Sequence, residues 1–163
     1  MQCGISCMSM ICHFYGKKLS IQSLEKYCHA SKEGVSLKGL ADLCDVLKLE
    51  YTAGRVSVLE LLECPLPCVL HWNQNHFVVL YKIDRNGCRF WIADPAKGKY
   101  KLSKEEFSNH WLSTTSNNLD KGIAMFFSKT IDFDNISIND FDNKRSFKFL
   151  WGYIIQYKRF FFR

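Results

Sequence analysis

The most constraining feature of this sequence is the Asn86-Gly87 pair, which lies between two apolar runs, 76–83 and 88–93. Asn-Gly between two such runs is the strongest short-range sequence signal for a β-hairpin, because both residues tolerate the positive φ angles of a tight turn. The two runs are therefore predicted to pair antiparallel. A chain with this hairpin near its middle must build an antiparallel sheet into its core.

The segments around the hairpin predict a fold in which helices come first and a sheet second. Apolar residues recur at helical spacing in 4–15, again from Ile21 to Cys28 after Ser20, and again after Ser36, and serine is a favourable N-cap at both positions. Further elements are predicted as strands at 51–55, 68–72, 99–102 and 122–128, a helical turn at 58–62 and a capped helix at 103–111. This order is typical of the α+β class.

The formal net charge is +6, and all of the excess lies at the C-terminus. Residues 144–163 carry six basic side chains and no acidic one, so the remainder holds 16 basic and 16 acidic residues. A neutral body argues against a nucleic-acid-binding face. No nucleic acid partner is therefore expected.

Composition divides the chain into three segments. Residues 1–129 carry the helix and strand patterns of one folded domain. Residues 130–143 are rich in Asp and Asn and are predicted to be an acidic linker. Residues 144–163 place apolar side chains at helical spacing among basic ones. A basic amphipathic helix of this kind typically binds a membrane surface or a partner.

Eight cysteines could indicate disulfides or a metal site, but their positions favour neither. Most fall on apolar faces of predicted helices or in strands, where a free cysteine packs as a small hydrophobic residue. Cys3 and Cys7 have a metal-like or redox-like spacing, but nothing completes a four-ligand zinc site. Neither a signal peptide nor an apolar stretch of ~20 residues is recognisable. A reducing, cytoplasmic setting without metal or cofactor is expected.

Cys3 lies just before an apolar run with helical spacing. The unpaired N–H groups and the positive dipole end of a helix N-terminus lower the pKa of a thiol there, and the thiolate is the nucleophilic form. Cys3 is therefore a candidate for covalent catalysis. Such catalysis also needs a base and a group that orients the base.

The hairpin supplies a base and an orienting carboxylate. The segment 76–94 has its midpoint at residue 85, inside the turn, so antiparallel pairing brings Asp94 within a residue or two of His76. A cysteine at a helix start with His and Asp on a sheet is the division of labour of papain-type peptidases. His71 competes with His76 on pattern alone, and each signal taken singly also has an ordinary structural explanation.

Motifs along the chain occur in the order seen in one family of peptidases. They are Cys3-Gly4-x-x-Cys7-Met8-x-Met10-Ile11, Tyr15-Gly16-Lys17, Val35-Ser36-Leu37-Lys38-Gly39-Leu40, Pro67-x-x-x-His71-Trp72, His76-Phe77-Val78-Val79-Leu80, Asp94-Pro95-x-x-Gly98 and Glu106-Phe107 with Trp111. On these motifs the chain resembles the N-terminal peptidase domains of bacteriocin-processing ABC transporters. The resemblance implies a papain-like cysteine peptidase that removes leader peptides after a double-glycine motif. It also implies that Cys3 is the nucleophile, His76 the base and Asp94 its orienting partner.

The chain departs from the family pattern around the nucleophile. Gln2 stands where the family usually has aspartate, and the family's upstream glutamine, whose amide helps to stabilise the oxyanion, has no counterpart in this sequence. The Cys3 backbone N–H and Gln2 are the remaining candidates for that role. Loss of one oxyanion donor costs about 10²–10³ in rate, so reduced activity is expected. A natural N-terminus further upstream is expected as well.

The resemblance also implies partners and a location. The expected partners are a double-glycine leader peptide, the membrane and nucleotide-binding domains of an ABC transporter, and the inner-membrane surface, reached through residues 144–163. The expected location is the cytoplasmic side of the bacterial inner membrane, where cleavage is coupled to export. Three alternatives stay open: a related peptidase with another peptide specificity, a catalytically impaired domain that docks leader peptides, and a thiol redox or metal module built on Cys3 and Cys7.

Overall fold

The computed structural model describes residues 2–28 and 34–136, which form six helices and seven strands. The helices are α1 (Cys3–Phe14), α2 (Ile21–Glu25), α3 (Leu37–Leu47), α4 (Val58–Leu62), α5 (Lys104–Trp111) and α6 (Ile131–Asn135). The strands are β1 (Glu50–Val56), β2 (Cys68–Trp72), β3 (His76–Ile83), β4 (Arg89–Asp94), β5 (Gly98–Ser103), β6 (Thr114–Ser116) and β7 (Leu119–Ser128). None of these helices is long and apolar enough to cross a membrane. The predicted amphipathic helix at 144–163 lies outside the described residues.

The strands form one sheet in the order β1-β7-β2-β3-β4-β5, and β6 pairs with β7 beside this path. Every pair of neighbouring strands is antiparallel. Because β7 lies between β1 and β2, it joins the strand that follows the helical half to the β2–β5 meander. The α+β class predicted from the sequence is therefore confirmed.

Four of the helices have a serine as their N-cap residue. Ser20, Ser36, Ser57 and Ser103 each accept a hydrogen bond from a backbone N–H three residues further on. Ser57 and Ser103 belong to complete capping boxes, in which the side chain of the glutamate three residues further on accepts a hydrogen bond from the backbone N–H of the serine. Helix α1 differs, because its N-cap residue Gln2 makes no side-chain cap. The backbone N–H groups at the start of α1 are thus left for other acceptors.

Helix α1 is the central helix of the fold and packs directly on β3. Nine of its 12 residues are buried, which is typical of a helix that is apolar on all sides. Gly4 allows the helix to approach the sheet, since a Cβ at this position would lie 3.3 Å from the Phe77 ring. The first turn of α1 is therefore held against the first residues of β3.

A second apolar layer covers the opposite face of the sheet. Helix α5 packs Phe107 against Phe90 and Trp72, with ring centroids 4.1 Å and 5.6 Å apart respectively. Helix α4 adds Val58 and Leu61 to the same layer. Apolar side chains thus cover both faces of the central strands β2, β3 and β4, so charged side chains on these strands are favoured where a strand begins or ends.

Two local features differ from the sequence prediction. The second helix was expected to carry Cys28, but it ends at Glu25, and the N–H groups of Tyr27 and Cys28 bond to carbonyls three residues back. Such i→i−3 bonds tighten the last turn and stop the α-helix. Strand β6 was not predicted because Thr-Thr-Ser is polar. It pairs with β7 across Asn117 and Asn118, which both adopt the positive φ angles of a tight hairpin turn.

Candidate active site

Cys3 begins α1 and is only 9% exposed. Burial by itself raises the pKa of the thiol, but hydrogen bonds from the His76 ring and from the Phe77 backbone N–H oppose it. The charge of His76 and the backbone N–H of Gly4 act in the same direction as these bonds. The pKa of Cys3 is therefore lowered, as expected for a thiol at a helix N-terminus beside a histidine.

His76 begins β3 and contacts both Cys3 and Asp94. Its Nε2 lies 2.7 Å from Oδ1 of Asp94. Because an ionised carboxylate can only accept, Nε2 carries the hydrogen, which leaves Nδ1 available to the Cys3 thiol. The hydrogen bond with Cys3 raises the pKa of His76, burial opposes this, and the bond with Asp94 reinforces it, so the pKa is raised overall.

Asp94 ends β4 and is 2% exposed. Burial raises the pKa of its carboxyl group, but the bond from His76 and two further hydrogen bonds outweigh that effect. The Ala96 N–H donates to Oδ1 at 2.8 Å, and the Tyr100 hydroxyl donates to Oδ2 at 3.1 Å. The pKa of Asp94 is therefore lowered, and its carboxylate is ionised at neutral pH.

The β3–β4 pairing explains why the histidine and the aspartate meet. Near the site, β3 and β4 pair Val79 with Ala93, so one further step places Asp94 opposite Val78, two residues from His76. A β-bulge at Tyr81 shifts the register closer to the turn. The sequence prediction that Asp94 lies within a residue or two of His76 is confirmed.

The thiol, the imidazole and the carboxylate form one hydrogen-bonded line. The lowered pKa of Cys3 and the raised pKa of His76 both favour a thiolate–imidazolium pair. Such a pair combines an activated nucleophile with an adjacent proton donor. The structure thus brings together the three residues that the sequence singled out.

The two other candidates for the site, His71 and Gln2, make different contacts. His71 on β2 places its ring 5.2 Å from the Phe77 ring, and burial lowers its pKa. The hydrogen bond to Cys3 comes from His76. The side-chain amide of Gln2 donates to the Glu25 carboxylate. A role for Gln2 in stabilising an oxyanion therefore stays a prediction.

Cys7 lies one helical turn after Cys3 and is fully buried. Burial raises its pKa well above the usual value, and the charges of Cys3 and Asp94 raise it further. All eight cysteines are free thiols. Among residues 2–28 and 34–136, no group of three or more His, Cys, Asp and Glu side chains could hold a metal ion.

Tyr100 is the residue of this site that the sequence analysis missed. It lies on β5 opposite Ile92, which makes it a diagonal neighbour of Asp94 on the same face of the β4–β5 pair. Diagonal neighbours lie within reach of an aromatic side chain. The short turn at 95–97 is the sequence signal that could have identified Tyr100, because it sets the register that pairs Asp94 with Gly98.

A cysteine at the start of a buried helix, bonded to a histidine that is bonded to an aspartate on antiparallel strands, is the arrangement of papain-like cysteine peptidases. A model of the Peptidase C39 family matches residues 1–117. The chain therefore belongs to the Peptidase C39 family. The resemblance drawn from the sequence motifs is confirmed.

Sequence relatives are secretion and processing proteins of much greater length. The chain is 36% identical over 110 residues, or 68% of its length, to a probable microcin-H47 secretion/processing ATP-binding protein of Escherichia coli. It is 33% identical over 115 residues, or 67% of its length, to a lactococcin-G-processing and transport ATP-binding protein of Lactococcus lactis subsp. lactis. The chain spans 16% of the length of each of these relatives.

Solved structures share the fold. A double glycine motif protease from an AMS/PCAT transporter, crystallised in complex with the leader peptide, is 29% identical with a TM-score of 0.68, covering 79% of this chain and 85% of that one. The peptidase domain of Streptococcus ComA, a bi-functional ABC transporter, has a TM-score of 0.65 at 19% identity, covering 79% and 92%. The papain-like fold implied by the resemblance is therefore confirmed.

Proposed function

We propose that this chain is a cysteine endopeptidase that removes leader peptides from bacteriocin or similar secreted peptide precursors by cutting after a double-glycine motif. The observation that carries the proposal is the hydrogen-bonded line from Cys3 through His76 to Asp94 in a member of a peptidase family. Cys3 is the proposed nucleophile, His76 the general acid and base, and Asp94 the group that orients His76.

The proposed reaction proceeds through an acyl-enzyme. The Cys3 thiolate attacks the carbonyl carbon of the second glycine, the C–N bond breaks, and His76 gives its proton to the leaving amine. Water then attacks the thioester while His76 accepts a proton from it, which releases the leader with a free carboxylate and frees the thiolate. Two glycines suit this chemistry because the substrate backbone can approach Cys3 closely when neither residue has a side chain.

The Cys3 backbone N–H is the proposed oxyanion donor. The first backbone bond of α1 joins the Ser6 N–H to the Gln2 carbonyl at 2.9 Å, so the Cys3 N–H lies outside the helical ladder. Gln2 is the second candidate, although its amide is bonded to Glu25 in this structure.

The proposal extends to the organisation of the longer protein. Residues 1–129 are the proposed peptidase domain, 130–143 a linker and 144–163 a basic amphipathic helix on the inner-membrane surface. The proposed partners are the membrane and nucleotide-binding domains of an ABC transporter on the cytoplasmic side of the bacterial inner membrane. The names of the relatives, which are ATP-binding secretion and processing proteins, support this organisation.

The test is to incubate the protein with a double-glycine precursor peptide and to locate any cut by mass spectrometry. We expect one cut after the second glycine in the wild type and none in Cys3→Ala, because the variant has no nucleophile. Cys88→Ala is the matched control, since Cys88 is an exposed free thiol on the β3–β4 turn and should not affect cleavage.

The outcomes separate the alternatives. Cleavage that persists in Cys3→Ala contradicts the assignment of the nucleophile. Leader binding without cleavage, even when an upstream glutamine-containing segment is added, contradicts the peptidase function and favours a docking domain. A bond between Cys3 and Cys7 on mild oxidation, with no cleavage under reducing conditions, favours a redox module.

A further inference from the structure

The Tyr100 hydroxyl lies between the buried carboxylate of Asp94 and the indole of Trp72. We propose that Tyr100, locked by Trp72, is a positioning residue that holds the Asp94 carboxylate in the orientation in which it aligns His76. This inference rests on the proposed peptidase function. It adds two side chains, from strands β2 and β5, to the three that the sequence singled out.

The two carboxylate oxygens of Asp94 accept hydrogen bonds from different donors. Oδ1 receives His76 Nε2 at 2.7 Å and the Ala96 N–H at 2.8 Å. Oδ2 receives the Tyr100 hydroxyl at 3.1 Å. Rotation of the carboxylate about its Cβ–Cγ bond would break all three bonds at once. Tyr100 is the one side chain bonded to Oδ2 in the described residues, so it opposes the rotation that would release His76.

Trp72 fixes the direction in which Tyr100 donates. The indole N–H of Trp72 donates to the Tyr100 oxygen. An indole N–H can only donate and an ionised carboxylate can only accept, so the hydroxyl hydrogen must point to Asp94. Trp72 itself is 2% exposed, and its ring stacks on the His110 ring with centroids 5.2 Å apart. The side chain that orients the Tyr100 hydroxyl is therefore itself buried and packed against α5.

Tyr100 keeps its hydrogen throughout the working pH range. Burial raises the pKa of its hydroxyl far above the usual value, and the charge of Asp94 raises it further. The titratable groups that face Asp94 are His76 from β3, Tyr100 from β5 and Cys7 from α1. Because the pKa values of Tyr100 and Cys7 are both raised, neither ionises below neutral pH. A shift of the acid limb therefore reports on Asp94 and the groups it aligns.

The test is Tyr100→Phe, which removes only the hydroxyl. We expect kcat to fall about 10-fold with KM within about 2-fold, because alignment of His76 matters in the transition state more than in binding. The acid limb of the pH profile follows the pKa of Cys3 and should move to higher pH, because a misaligned His76 stabilises the thiolate less well. Tyr15→Phe is the matched control. The Tyr15 hydroxyl donates a hydrogen bond of 2.9 Å to the Phe127 carbonyl and takes no part in the site. Its kinetics should match the wild type.

Two further measurements make the result independent of folding and of the substrate. Alkylation of Cys3 by iodoacetamide, followed by peptide mass spectrometry across pH, should show the same shift of the acid limb even if no precursor is cut. If Tyr100→Phe does not fold, 3-fluorotyrosine at position 100 keeps the volume and strengthens the donor, and the limb should move to lower pH. An acid limb that stays at its wild-type position in the folded Tyr100→Phe variant, or in the fluorinated protein, overturns the proposal.

Discussion

Thiols in this protein differ in chemistry because their immediate neighbours differ. Burial raises the pKa values of Cys7, Cys12 and Cys68. At Cys3 the effect of burial is outweighed by bonds that include one from His76. The reactive ion pair is lost as pH falls through the lowered pKa of Cys3, and again as pH rises through the raised pKa of His76. Activity is therefore expected to have a bell-shaped dependence on pH.

The first prediction concerns the histidine that activates Cys3. In His76→Ala, alkylation of Cys3 by iodoacetamide at pH 6 should slow by about 10-fold or more, because burial then raises the thiol pKa without the opposing bond and charge. His71→Ala is the control from the neighbouring strand, and its rate should stay within about 2-fold of the wild type. Peptide mass spectrometry of the labelled residue measures both rates. Equal slowing in the two variants would contradict the assignment of His76.

At the scale of elements, the hairpin was predictable from the sequence because its determinants are local. Asn86-Gly87 specifies the turn, and the midpoint estimate places Asp94 within a residue or two of standing opposite His76. The observed register places Asp94 opposite Val78. A shift of two residues keeps a side chain on the same face of a sheet, whereas a shift of one would move it to the other face. The two-residue offset, which the prediction allowed, therefore leaves Asp94 on the same face of the sheet as His76.

The support behind that pair was not predictable, because it depends on pairings between distant segments. Trp72 and Tyr100 meet only when β2, β3, β4 and β5 adopt their observed registers. Neither residue carries a local signal, since a buried tryptophan and a strand tyrosine are ordinary core residues. The sequence motifs therefore identified the reacting groups but not the side chains that hold them.

The second prediction tests the packing of α5 against β7. A Cβ on Gly122 would lie 2.3 Å from the Trp111 ring. Trp111 is 1% exposed and donates from Nε1 to the Ile123 carbonyl at 3.0 Å, so the ring cannot move away without losing that bond. Gly122→Ala should therefore lower the free energy of unfolding by about 3 kcal/mol, as measured by chemical denaturation.

Gly54→Ala is the matched control on the neighbouring strand. No atom lies within 4 Å of a Cβ built on Gly54, which pairs with Ala124 of β7. Alanine is favoured over glycine inside a strand, so this variant should be as stable as the wild type or more stable by up to about 1 kcal/mol. A small effect of Gly122→Ala, comparable to that of Gly54→Ala, would show that α5 can move away from β7.

At the scale of the whole molecule, hydrogen bonds join the segment that follows α1 to α6, the last described helix. The Lys17 Nζ, just after α1, donates to the carbonyls of Phe133 and Ile136 at 2.6 Å each, and lies 5.1 Å from the centre of the Phe133 ring. Phe133 is fully buried, and Thr130 caps α6 by accepting from its N–H. Residues 131–135, which begin the predicted acidic linker, thus pack on the helical layer that carries Cys3.

The third prediction is that the packing of α6 on the helical layer depends on Lys17. Lys17→Met keeps the aliphatic stem but removes the charged donor, so it should lower the free energy of unfolding by about 1–2 kcal/mol. Amide exchange at Phe133 and Ile136 should accelerate more than exchange in β3, because α6 can then open by itself. Lys38→Met is the control, since its ion pair with Asp42 is exposed and worth less than about 0.5 kcal/mol. Uniform acceleration across both regions would mean that α6 opens only with the rest of the domain.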